Sequence, residues 1–243
     1  MQSMQYLKDF YSAAVGLVRY NLKIIFAGKF IYFVMAAVAI FLLVTVLNLM
    51  DAGARPSEAT VFALLLVPGM LVIFYPIAFG IQNDMDNRMI EILFGIPDYR
   101  YKIWLLRLLL IFLVSFSILF ILSLLSHVAL TSVPVIEMVF QLAFPLLFFG
   151  CLTFMISTYI RNGAGTSVVM VIVSIVFWLG NRSFLENHRK WDIFLNPFSQ
   201  PDNLNQAVWY NIVLSNRIYL FTGVILMILF ALFNLQKREK FLQ

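Results

Sequence analysis

Six apolar runs dominate the pattern along the chain, at about Phe30 to Met50, Val61 to Ile81, Trp104 to Ser126, Met138 to Ile160, Thr166 to Trp178 with its flanks, and Ile218 to Leu235. A helix crossing a bilayer needs roughly 20 apolar residues. The pattern therefore predicts an all-α polytopic membrane protein with six transmembrane helices. Ala52-Gly53-Ala54 after the first run resembles a signal-peptide cleavage site. However, 29 residues precede that run, and it is longer than the roughly 7–15 residues of a signal core. It is expected to remain as an uncleaved helix.

The segments between the runs divide the chain into residues 1–29, a membrane domain over 30–236, and a basic tail over 237–243. In the first, Leu7, Phe10, Ala14, Leu17 or Val18, Leu22 and Ile25 recur at three- and four-residue intervals, while Lys8, Asp9, Ser12, Arg19 and Lys23 fall elsewhere. This spacing predicts an amphipathic helix lying along the membrane interface, as an anchor or as an element that steers the first span. The loop over 82–103 mixes charges with Met89, Ile90, Ile92, Leu93 and Phe94. A short helix ending near Gly95 and stopped by Pro97 would present an apolar knob framed by Asp84, Asp86, Arg88 and Glu91. Such a knob suits a groove in a partner protein. The loop over 180–217 carries Trp191, Phe194, Phe198, Trp209 and Tyr210, aromatics suited to a membrane interface. It is expected to form two short helices with Asn196-Pro197 as the turn between them, the second capped by Asp202 with Leu204, Val208, Ile212 and Ser215 on one face.

Composition strengthens the membrane assignment, since 62% of the residues are hydrophobic and only 12% charged. Twelve of the 17 Lys and Arg fall before the first run, after the second, after the fourth or after the sixth. Positive charge resists translocation, so both termini are expected in the cytoplasm. The net charge of +5 is then accounted for by topology and anionic lipid, with no nucleic-acid partner. No run carries Asp, Glu, Lys or Arg near its centre, which disfavours an ion-coupled carrier. Glu137 and Gln141 are expected as a helix-start acid and an interhelical hydrogen bond. The chain has no phosphate-binding G-x-x-x-x-G-K-[ST] loop, no paired metal ligands around His127 or His188, and a single cysteine, Cys151, expected in helix packing. Asn181-Arg182-Ser183 matches a glycosylation sequon, which by chance alone carries no weight.

The run Asp84 to Arg107 resembles the signature between the second and third helices of permease subunits of type-II ATP-binding-cassette exporters. There an acid is followed by an apolar stretch, a proline six positions on, a basic residue three beyond it and another ten beyond it, which Glu91, Pro97, Arg100 and Arg107 match. Arg88-Met89 stands where the family commonly has Gly-Thr, and Arg107 where Lys is usual. The resemblance implies a coupling helix fitting a cleft in a separate ATPase subunit, with Asp84, Arg88, Met89, Ile90, Glu91, Ile92, Leu93, Phe94, Pro97, Arg100 and Arg107 at or near that contact. It also implies a second permease copy, identical or related, ATP and Mg bound by the partner and not by this chain, and a bacterial cytoplasmic membrane. Phe74, Tyr75, Met170 and Phe177, on the second and fifth spans, would line the path or serve simply as packing. The proline residues Pro68, Pro76 and Pro145 would loosen helices or kink them statically. Two other classes remain open from sequence: a membrane scaffold recruiting a cytosolic protein through the same loop, and a lipid-modifying membrane enzyme.

Overall fold

The computed structural model describes residues 16, 29–50, 56–86, 100–183 and 189–236. Among the described residues six long helices follow one another: α1 Phe30–Met50, α2 Glu58–Asp86, α3 Leu106–Ala129, α4 Val135–Ile160, α5 Gly163–Ser183 and α6 Gln206–Asn234. A π-helical lead-in, Arg100–Leu105, runs into α3, and a single 3-10 turn, Arg189–Trp191, lies between α5 and α6. Among the described residues there is no strand. The helices around α1, α2, α3, α4 and α6 are long and apolar enough to cross a membrane, and α5 carries a shorter apolar stretch, Gly163–Phe177. The chain is thus a multi-pass membrane protein by the length and composition of its helices.

The helices are apolar nearly all round, as expected where lipid replaces water. Several of their polar residues turn inward and bond their own backbone. Ser115 and Ser126 are buried on α3 and donate to the carbonyls of Ile111 and Leu122, one turn earlier. In lipid, such back-bonding satisfies a hydroxyl that would otherwise lack a partner. Helices α2 and α4 form the centre of the bundle, α2 packing against α1, α3, α4 and α5, and α4 against α2, α3, α5 and α6. Small residues permit the close crossings. A Cβ at Gly150 of α4 would meet Phe112 Cε1 of α3 at 2.7 Å and Ile73 Cγ2 of α2 at 2.9 Å. Cys151, beside it, is fully buried.

Hydrogen bonds mark the two ends of the bundle. At the end where α2 finishes, Gly163 N–H donates to Gln82 Oε1 at 2.6 Å and Asn234 Nδ2 donates to the Thr158 carbonyl at 2.7 Å. At the end where α2 starts, Asn196 Nδ2 donates to the Ala59 carbonyl at 2.8 Å. Glu137 lies in the first turn of α4. The last turn of α4 closes on Arg161, which adopts a left-handed conformation at φ 60°. Asn162 then caps α5, its Oδ1 accepting from Gly165 N–H.

Two boundaries differ from the sequence reading. Helix α2 continues five residues past Ile81 to Asp86, so Gln82, Asn83, Asp84, Met85 and Asp86 are helical and not loop. Helix α6 starts at Gln206, so the separate helix expected before Ile218 is the first third of one continuous helix. Its cap is Asn205, whose side chain accepts from Ala207 N–H, and not Asp202. The buried face is Trp209, Val213, Asn216 and Leu220, one position on from the expected set, and Val208 is exposed. The physical cause is packing. That stripe seats against the 189–205 segment, where Trp209 Nε1 donates to the Pro197 carbonyl. Asn196 does open a turn, its side chain accepting from Phe198 N–H. The N-terminal amphipathic helix and the basic tail lie outside the described residues, apart from Gly16.

Candidate functional site

Two polar clusters sit in this apolar bundle, one at each end. The first joins α2 to α3. Ile77, Ile81 and Asp84 recur at helical spacing and are all buried, so the carboxylate of Asp84 lies on the packed stripe of α2. Arg107, at the start of α3, donates through Nη1 to Asp84 Oδ2 at 2.6 Å, and both side chains are buried. Its guanidinium lies over the Trp104 ring at 5.0 Å from the centroid. Trp104 in turn packs on Phe154 of α4 at 6.4 Å between centroids. A small cavity is lined by Pro76, Gly80, Trp104, Arg107 and Phe154. Trp104 Nε1 and Arg107 Nε are buried with no hydrogen-bond partner among the described residues.

This corrects the sequence reading of Asp84, which is buried and does not stand as an exposed residue framing an apolar knob. The continuation of α2 carries Asp84 into the core, where an unpaired carboxylate would be prohibitively costly and Arg107 compensates it. Asp86, by contrast, is exposed. Arg100 opens the π-helical lead-in. Arg88, Met89, Ile90, Glu91, Ile92, Leu93, Phe94 and Pro97 lie outside the described residues. Among the four residues expected to line a path, Tyr75 is buried between Phe33, stacked at 4.3 Å, and Phe79 at 5.1 Å. Met170 is also buried. Neither faces open space in this structure. Phe74, tilted against Phe149 at 6.2 Å, and Phe177 are half-buried.

The second cluster was missed from sequence. Arg217, read there as a loop cation, is buried in α6. Its Nε donates to Gln141 Oε1 of α4 at 2.9 Å, Nη1 to Asn216 Oδ1 at 2.8 Å and Nη2 to the Leu195 carbonyl at 3.3 Å. Phe144 covers the guanidinium at 5.5 Å. Asn216 Nδ2 donates to the carbonyls of Lys190 and Asp192. The interhelical hydrogen bond expected of Gln141 is thus present, with Arg217 as its donor. The available signal was the position of Asn216 and Arg217 on the stripe Trp209, Val213, Leu220, Val224, where a pair of long polar residues implies partners from other elements.

Among the described residues no group of three His, Cys, Asp or Glu side chains comes together. An apolar groove of about 800 Å³ runs between α3 and α4, lined by Leu109, Phe112, Phe116, Phe120 and Leu147, with Ser117 as its one hydroxyl. Ser117 is satisfied by the Leu113 carbonyl. Neither cluster pairs a nucleophile with a base. What both can do is hold helices at fixed distances. No family model matches the chain, no curated protein matches it and no solved structure matches it.

Proposed function

We propose that the chain is the transmembrane permease subunit of an ATP-driven exporter, forming half of a translocation path with a second copy and driven by a separate ATPase subunit. The comparisons do not carry this reading. The observation that does is the spacing of Glu91, Pro97 and Arg100 between α2 and α3 and of Arg107 in the first turn of α3, next to the end of α2, the most buried of the five long apolar helices. A force applied there would reach α2 and, through it, α1, α4 and α5.

The reading includes six spans with both termini in the cytoplasm, and two hydrogen bonds support that count. Gly163 is tied to Gln82 near the end of α2 and Asn196 to Ala59 near its start. Gly163 and Asn196 are thus held at opposite ends of α2, which supports α5 as a crossing element. Affinity purification of the chain from its native membranes provides the test. An ATPase subunit is expected to accompany it, to hydrolyse ATP faster when substrate is present, and to be lost from the E91A/F94A variant. Association without stimulated hydrolysis would favour a scaffold. Absence of any ATPase would overturn the transporter reading.

A further inference from the structure

We propose that Asp84 and Arg107 are a positioning pair, a buried clamp that makes the end of α2 and the start of α3 move as one body when the connection between them is pushed. This deepens the function proposed above and rests on it for its mechanical role. Asp84 and Arg107 are 23 residues apart in sequence and joined at 2.6 Å. Among the described residues Asp84 is the one side chain that hydrogen-bonds Arg107, and Arg107 Nε has no partner. The link is thus concentrated in one carboxylate. Buried ion pairs are screened little by salt. Replacing such a pair with apolar residues is often neutral or stabilising, so stability alone does not account for it. A charge-assisted hydrogen bond supplies a fixed distance and direction, which apolar packing in a membrane does not. The junction also reaches further helices. Trp104, beneath the Arg107 guanidinium, packs on Phe154 of α4, and Gln82, two residues before Asp84, holds the first amide of α5. Displacing the pair therefore displaces the matching ends of four helices.

Amide hydrogen exchange on the full chain in detergent tests the clamp without any partner. The D84N variant is expected to exchange about tenfold faster, a typical scale for a coupling between sites, in both 80–86 and 103–108, and D84E to restore protection. If D84N fails to fold, R107K keeps the charge and is expected to show the same paired loosening at smaller size. Faster exchange on α2 alone, or no change on α3, overturns the clamp. In the complex with the ATPase subunit, D84N should lose substrate-stimulated hydrolysis and D84E regain it. Full stimulation in D84N despite loosened helix ends overturns the positioning role. If the unaltered chain brings down no ATPase, the transporter reading falls, while the exchange result still decides whether the two helix ends are clamped.

Discussion

Arg217 shows how a single residue organises an apolar bundle. Its guanidinium collects an α4 amide, an α6 amide and a carbonyl from the 189–205 segment, so one side chain seats that segment on two helices. The R217M variant would leave those acceptors buried and unpaired, at about 1–3 kcal/mol for each that finds no water. A fall in thermal unfolding temperature in mild detergent is expected, with Q141L showing a smaller fall because it removes one acceptor. An R217M variant as stable as the parent would mean that the network contributes nothing. Gly150 makes the complementary case, where the absence of a side chain is what matters. Its added Cβ would meet Phe112 and Ile73 within 2.9 Å, so G150A is expected to cost about 1–3 kcal/mol by overpacking. The same unfolding measurement checks it, and an unchanged unfolding temperature would show that α3 yields freely at that crossing.

At the scale of the helix, α6 is where sequence pattern and structure part most clearly. Hydropathy places the start of the last span at Ile218, because Asn211, Ser215, Asn216 and Arg217 dilute the apolar signal before it. The backbone nevertheless runs helical from Gln206, since Asn216 and Arg217 find partners in the folded chain. Proline distinguishes the two descriptions. At the first position of a new helix it is well tolerated, whereas within a continuous helix it costs about 3 kcal/mol or more. Ile218 is 58% exposed, so I218P alters little besides the backbone. It is expected to unfold at distinctly lower temperature and to release the 189–205 segment to protease. Parental stability would mean that the helix is broken there. Helix α2 shows the same effect at its other end. Its apolar run stops at Ile81, yet the helix carries on to Asp86 because Asp84 is received by Arg107.

For the whole molecule, the path of α5 decides the topology. The native Cys151 is buried and is expected to resist a membrane-impermeant maleimide, so the chain itself is a clean background for added cysteines. Ser132, Asn162, Ser199 and Gln236 are exposed and lie in the turns between helices or after the last one. With six spans, S132C and S199C should label from one face of the membrane, and N162C and Q236C from the other. Were α5 not to cross, S199C would label with N162C, and Q236C with S132C.

The all-helical membrane class, the approximate places of six apolar helices, the role of Glu137 at a helix start and the interhelical bond of Gln141 all follow from the chain read alone. The physical reason is that lipid imposes local rules: a spanning segment must be apolar, about 20 residues long and internally hydrogen-bonded. Tertiary structure alone decided how far α2 and α6 extend, that Asp84 and Arg107 meet inside the protein, and that Arg217 is a buried organiser and not a loop charge. A polar residue near the end of an apolar run reads as exposed until its partner is known. Here Arg107 lies 23 residues from Asp84, and Leu195 and Gln141 lie 22 and 76 residues from Arg217, separations that no local pattern encodes.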